Sequence, residues 1–180
     1  MKATGIVRKI DELGRIVIPK EIRKGMRIRE GDPLEIYIEK NGEIILKKYA
    51  PLGDMIETAT QYVDTLAKTT GFVSCITDIS KVIAVSGISK KEYIDMEISE
   101  HIINVMDDRS IWSTKDDRIM PLIQNDSTKY VSQIIAPIIA DGDAIGTVIL
   151  FSTDYKKIVS DVEYKLVQSA ATFLGKQMEL

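Results

Sequence analysis

The chain has very few of the side chains on which metal and nucleophilic chemistry is built. Among its 180 residues there is one cysteine, one histidine and one tryptophan. A single cysteine closes no internal disulfide, which points to a reducing interior. Cys75 sits in Phe72-Val73-Ser74-Cys75-Ile76 with no charged neighbour, and reads as a small buried hydrophobe rather than a reactive thiol. His101 follows Ser99-Glu100 on a helical pattern, with no nucleophile or ligand spacing beside it, so an exposed helix position is expected rather than a catalytic base. The acidic pairs Asp107-Asp108 and Asp116-Asp117 are adjacent only in sequence, and adjacent side chains diverge, so solvated charge is favoured over a metal site. CxxC, HExxH and a glycine-rich phosphate loop are all missing. The expectation is a protein that is not an enzyme, with no catalytic residues, no cofactor and no metal.

Long apolar runs are missing too. None approaches the ~20 residues that span a bilayer. Met1-Lys2 leads straight into an alternating pattern rather than a signal peptide. A soluble, cytoplasmic chain with no membrane partner is expected.

What is present is a charge division. The chain carries a formal net charge of −3, yet residues 1–48 hold 12 Lys and Arg against 8 Asp and Glu, a net of +4. The remainder holds 12 against 19, a net of −7. Within residues 1–29 the count is 9 against 3. A basic, β-rich segment joined to a larger acidic domain points to a nucleic-acid reader with a separate regulatory or assembly domain.

The basic segment reads as four short strands and one short helix. Ala3 to Ile10 alternates in part, Asp11-Glu12-Leu13-Gly14 makes a turn, and Arg15 to Ile18 is a β-branched run closed by Pro19. Lys20 to Met26 suits one to two helical turns, and Glu30-Gly31-Asp32-Pro33 is a turn. Leu34, Ile36 and Ile38 then alternate up to Asn41-Gly42, a two-residue hairpin signal, and Glu43 to Lys48 returns. Some 48 residues bury too little apolar surface to offset their ordering entropy without a disulfide or metal. A second copy of the chain is the expected supplier of the missing core.

Tyr49-Ala50-Pro51 marks a boundary, dividing the chain into residues 1–50 and 51–180. Leu52, Met55, Ala59, Tyr62 and Leu66 step at helical spacing, predicting a helix over about 52–70 that stops at Gly71. Val73 to Ile79 and Val82 to Val85 read as strands. Ser89-Lys90-Lys91-Glu92 has the capping-box pattern of a short helix, and Ile98 to Met106 suits a second. Residues 107–130 are irregular. Ser132 to Ile139 and Ala144 to Ser152 form a strand pair. Ser160-Asp161-Val162-Glu163 opens a C-terminal helix over about 160–179, with Val162, Leu166, Val167, Ala170, Phe173, Leu174 and Met178 on one side. This order predicts an α+β domain, an antiparallel sheet with helices on one face.

The phrase Gly5-Ile6-Val7-Arg8-Lys9, Asp11-x-x-Gly14-Arg15-Ile16-Val17-Ile18-Pro19, Glu21-x-Arg23-Lys24 and Leu34-Glu35-Ile36-Tyr37 resembles the swapped-hairpin DNA-binding domain of the AbrB family of transition-state regulators. That resemblance implies a mainly β N-terminal module in which two chains interlace their hairpins into one interlocked dimer. It also implies double-stranded DNA as the partner and DNA contact by Arg8, Arg15, Arg23 and Lys24. Lys24 stands where many members carry a second Arg, which keeps a charge but loses the planar fork. Residues 52–180, with Pro137-Ile138-x-x-Asp141-Gly142-x-x-Ile145-Gly146-x-Val148-Ile149-Leu150, resemble a GAF-type sensor domain. Together the two parts resemble a family of transcription regulators of sporulation. This implies an activator or repressor of forespore-stage genes, working as a homotetramer assembled through the helices of the GAF-like domain.

By charge and position the candidate DNA-binding residues are Arg8, Lys9, Arg15, Arg23 and Lys24; solvated surface charge is the alternative for each. Arg27 and Arg29 are better read as solvated or dimer-bridging. A small-molecule ligand on the GAF-like domain stays open as a partner, with Ser86, Tyr93, Trp112 and Tyr130 as its conceivable lining. Two other function classes stand beside the DNA-binding regulator: an antitoxin-like protein-binding module, and a ligand-gated sensor whose main role is small-molecule binding.

Overall fold

The computed structural model describes residues 4–179 except 27, 29, 32, 50, 116 and 117. Arg27, Arg29, the turn residue Asp32, the boundary residue Ala50 and the pair Asp116-Asp117 lie outside the described residues. The chain divides into two compact units, Met1–Tyr49 and Ala50–Leu180.

In the first unit, helix α1 (Lys20–Gly25) follows the buried Pro19, whose carbonyl accepts the Arg23 N–H at 2.9 Å. Strands β1 (Leu34–Ile38) and β2 (Ile44–Lys48) pair antiparallel, with Ile36 opposite Leu46. The predicted two-residue hairpin is a three-residue loop instead. Glu39 N–H donates to the Glu43 carbonyl at 2.9 Å, Gly42 N–H to the Glu39 carbonyl at 3.0 Å, and Gly42 takes φ +83°. That is a turn followed by one left-handed residue, which only the missing Cβ makes cheap.

Ala3 lies outside the described residues, and the rest of the two stretches predicted as strands, Ala3–Ile10 and Arg15–Ile18, forms no strand within this single chain. Residues 4–19 still form a turn of the same construction: Asp11 N–H donates to the Arg15 carbonyl at 3.1 Å, Gly14 N–H to the Asp11 carbonyl at 3.0 Å, and Gly14 takes φ +76°. A strand exists only as a member of a ladder, and past the Asp11–Arg15 closure the two arms carry no ladder among the described residues. Their apolar side chains face water instead, Val7 at 86% exposure, Leu13 at 70% and Val17 at 71%.

The second unit begins with a 3-10 turn, Pro51–Met55, and helix α2 (Ile56–Thr70), which buries Ala59, Val63 and Leu66 and ends at Gly71. Strands β3 (Val73–Asp78) and β4 (Val82–Ser86) follow, then α3 (Lys90–Tyr93) and α4 (Glu100–Asp108). A two-residue strand, β5 (Trp112–Ser113), interrupts the irregular stretch. Strands β6 (Ser132–Ala140) and β7 (Asp143–Ser152) and helix α5 (Asp161–Lys176) complete it. The sheet is antiparallel in the order β4-β3-β7-β6-β5.

Helices cover both faces of this sheet, not one as predicted. Alternation along the strands builds two cores. Ile76, Ile134, Ile138, Val148 and Leu150 pack with α2 and α5, whereas Cys75, Ile135, Ile149 and Phe151 pack with Tyr93, Ile98, Ile102 and Tyr130. Helix α5 comes against β6 so closely that a Cβ at Gly175 would stand 2.0 Å from the Ile139 carbonyl oxygen. Its N-terminus carries the predicted capping box: Ser160 Oγ accepts the Val162 N–H at 3.2 Å, and the Glu163 carboxylate accepts the Ser160 N–H at 2.8 Å. The predicted box at Ser89 makes no side-chain cap, while Ser99 caps α4 by accepting the Ile102 N–H. Val162 and Phe173, predicted on the packed side of α5, are exposed, and Phe173 stacks on Tyr62 at a centroid distance of 5.8 Å.

Candidate nucleic-acid interface

Arg8, Lys9, Arg15, Arg23 and Lys24 are all exposed. Arg8 stands on the arm before the Asp11–Gly14 turn and Arg15 just after it, while Arg23 and Lys24 lie in the last turn of α1. Their charges suit that end of a helix, where unpaired carbonyls carry partial negative charge. Helix α1 is placed by its apolar side. Ile22 and Met26 join Ile16, Ile18, Ile28 and Leu46 around a groove of about 320 Å³, with Arg8 on its lining. One apolar groove therefore sets α1 beside the arms of the turn.

The turn itself is organised by Asp11. Its Oδ1 accepts the Leu13 N–H at 3.0 Å and the Arg15 N–H at 2.8 Å, and its Oδ2 accepts the Arg15 Nε–H at 2.9 Å. The Arg15 backbone N–H and guanidinium hold the Asp11 carboxyl below its ordinary value. The sequence reading took Asp11 only as part of a turn. The signal was present in Asp-x-x-Gly-Arg, because an aspartate that opens a turn bonds the backbone ahead of it and reaches the residue four places on.

On the second unit, the conceivable ligand lining is only partly drawn together. Tyr93 and Tyr130 are buried with their hydroxyls 3.0 Å apart, and both rings lie against Phe151, at 5.6 and 5.0 Å. Trp112 packs on the same core, and Ser86 is half-buried at the end of β4. The Tyr93 hydroxyl also pairs with Thr128 Oγ1 at 3.0 Å, and the Tyr130 O–H donates to Asp126 at 2.5 Å. Both rings belong to the core that also holds Leu122 and Ile123.

His101 is exposed on α4, as are Asp107 and Asp108. No group of three or more His, Cys, Asp or Glu able to hold a metal ion occurs among the described residues. Cys75 is buried, and burial pushes its thiol up to about 12. No helix among the described residues is long and apolar enough to cross a membrane.

These features define a class: a small basic hairpin module followed by an α+β domain with a sheet covered on both faces. Known proteins of the same build carry the comparison further. A family model described as "Stage V sporulation protein T C-terminal, transcription factor" matches residues 54–179, and one described as "Antidote-toxin recognition MazE, bacterial antitoxin" matches residues 7–54. The chain is 48% identical to stage V sporulation protein T of Bacillus subtilis (strain 168) over 179 residues, covering 99% of each. It therefore belongs to the stage V sporulation protein T family. Its first part is 63% identical over 51 residues to the transition state regulatory protein AbrB of the same organism, covering 28% of this chain and 52% of that one.

Two solved structures share the fold of the second unit. A type II free methionine-R-sulfoxide reductase from Thermoplasma acidophilum superposes with a TM-score of 0.56 at 14% identity, covering 72% of this chain and 99% of that one. The GAF domain of an Acinetobacter phosphoenolpyruvate-protein phosphotransferase gives 0.56 at 12%, covering 68% and 80%. The second unit has the GAF fold.

Proposed function

We propose that this protein is a sporulation transcription regulator that binds double-stranded DNA through its first 50 residues, two chains completing one binding module. The carrying observation is the basic turn-and-helix surface set on an unfinished apolar core. Arg8, Lys9, Arg15, Arg23 and Lys24 stand exposed, Arg8 lines a groove with Ile16, Ile18, Ile22 and Leu46, and the two arms carry no ladder among the described residues. The hairpin arms of a second chain have the apolar, β-branched composition that would fill this groove and supply strand partners. A two-fold axis would then bring two sets of cations to one face, which a line of phosphates requires.

Residues 51–180 are the regulatory and assembly part in this reading. The exposed Phe173 and its Tyr62 partner give α2 and α5 an apolar outer stripe on which pairs of dimers would join as tetramers. The likeness to a reductase, at 14% identity, is one of fold and carries no enzymatic reading. The antitoxin reading draws on the match over residues 7–54. Against it, the remaining chain is a packed domain rather than a short unfolded tail.

Fluorescence anisotropy of the full chain on a labelled duplex tests the proposal. Arg15→Ala should weaken binding and reduce the slope of log K against log[salt] by about one. An unchanged slope and affinity would remove Arg15 from the interface. Sedimentation of the full chain should show dimers or larger species at concentrations that saturate the duplex, and a monomer that binds DNA would overturn the pairing.

A further inference from the structure

Resting on the DNA-binding reading above, we infer that Asp11 is a positioning residue for base recognition: it holds the Arg15 guanidinium side-on, so that the fork of Arg15 presents to a guanine. A long arginine on a surface turn ordinarily samples many rotamers, and the entropy of fixing it is charged to binding. Here the Nε of the side chain is already engaged. Asp11 Oδ2 accepts the Arg15 Nε–H at 2.9 Å, while Oδ1 of the same carboxylate accepts the Leu13 and Arg15 backbone N–H groups. The carboxylate is itself locked into the turn, so the plane of the guanidinium is tied to the hairpin backbone.

The atom taken by Asp11 matters. With Nε engaged, the two Nη groups lie at the far end of the plane, and that end is the fork that matches O6 and N7 of guanine in the major groove. The same turn construction at Glu39–Glu43 places a glutamate where Arg15 stands, so the geometry alone does not make a reader. The contact is contained in five consecutive residues, and pairing with a second chain need not disturb it. Arg15 is 69% exposed and Asp11 39%, so the pair adds little stability. Its effect is on direction.

The test uses the full chain and a duplex enriched by it from a random-sequence pool, together with that duplex carrying 7-deazaguanine, which lacks N7, at each guanine in turn. The wild-type protein should lose about tenfold in affinity at one guanine per half-site. Asp11→Asn keeps an oxygen for the backbone N–H groups but offers N–H to Nε. It should lose about tenfold on the enriched duplex, become indifferent to the deaza substitution, and keep its affinity for random duplex and its salt slope. Arg15→Lys should do the same, and the double variant should be no worse than Arg15→Lys alone. Additive losses, an equal fall on random duplex, or retained sensitivity to 7-deazaguanine in Asp11→Asn would overturn the inference while leaving DNA binding intact. Failure of the wild-type chain to bind any duplex would instead remove the DNA reading on which it rests.

Discussion

Gln133 grips Met120 by both of its backbone groups: the Met120 N–H donates to Gln133 Oε1 at 2.9 Å, and Gln133 Nε2–H donates to the Met120 carbonyl at 2.7 Å. Gln133 is fully buried in β6, so this side chain ties Met120 to the sheet. Replacing Gln133 with Leu strips both partners from a part-buried residue, at a cost of about 1–3 kcal/mol. Amide exchange at Met120 should accelerate by more than an order of magnitude, while amides of β7 stay protected. Uniform acceleration across the sheet would mean that the residue holds the whole domain rather than Met120.

Asp126 governs the acid limit of the second unit. Burial pushes its carboxyl up, but the Tyr130 hydroxyl and the Thr128 and Leu122 N–H groups together hold it below the ordinary value of 3.8. A depressed carboxyl stabilises the fold above its unfolded value and loses that contribution as pH falls through the folded one. The second unit should therefore keep its stability down to about pH 4 and lose it steeply below, with Tyr130→Phe flattening the acid limb. Urea melts followed by Trp112 fluorescence at a series of pH values measure this.

The alkaline limit belongs to the tyrosines. Burial raises Tyr93 and Tyr130 above the ordinary 10.0; the bonds to Asp126 and Tyr93 add to the rise at Tyr130, whereas the bonds to Thr128 and Tyr130 work against it at Tyr93. A folded value above the unfolded one favours the fold below the unfolded pKa, and that advantage is lost as pH rises. Absorbance at 295 nm should show these two of the seven tyrosines failing to ionise near pH 10 and appearing together with unfolding.

Cys75 should be silent in the native protein. Its thiol is buried and pushed up to about 12, so thiolate is scarce at neutral pH. Ellman's reagent should find no reactive thiol in the folded chain and one per chain in denaturant. Rapid native labelling would show that the second core opens far more often than its packing implies.

Gly175→Ala should be among the more damaging single-methyl additions. The new Cβ would meet the Ile139 carbonyl oxygen at 2.0 Å and its carbon at 3.0 Å, both backbone, so helix or strand must move. Overpacking of this kind costs about 1–3 kcal/mol. The melting transition of the second unit should fall by several degrees, and a change under one degree would mean that α5 slides freely on the sheet.

The parts of the fold that were legible in the sequence are those decided by neighbouring residues. Helices α2 and α5, the β6–β7 pair and the Ser160 capping box follow from spacing and local caps. The arms over 4–10 and 15–18 form no ladder within one chain because strand character is a property of a pair, and β-branched composition says nothing of where the partner is. The second helical face was misread for a related reason: strands β3, β6 and β7 are apolar on both sides, a pattern that by itself marks burial on both faces. Ser89 was misread because a capping pattern becomes a cap only where the side chain turns onto the helix. Of the site, the exposed cations were visible as charge. The Asp11 contacts were carried by Asp-x-x-Gly-Arg, a pattern that marks the turn and the reach to Arg15 but not the direction in which the guanidinium is held.

The unfinished N-terminal core has a consequence for dosage. Val7, Leu13 and Val17 stand in water in one chain, and under the proposed pairing they are covered only when a second chain arrives. The population competent for DNA would then rise with the square of chain concentration at low abundance and linearly once dimers dominate. A cell that makes a little of this protein would have almost no active regulator, and one that doubles a scarce supply would gain fourfold.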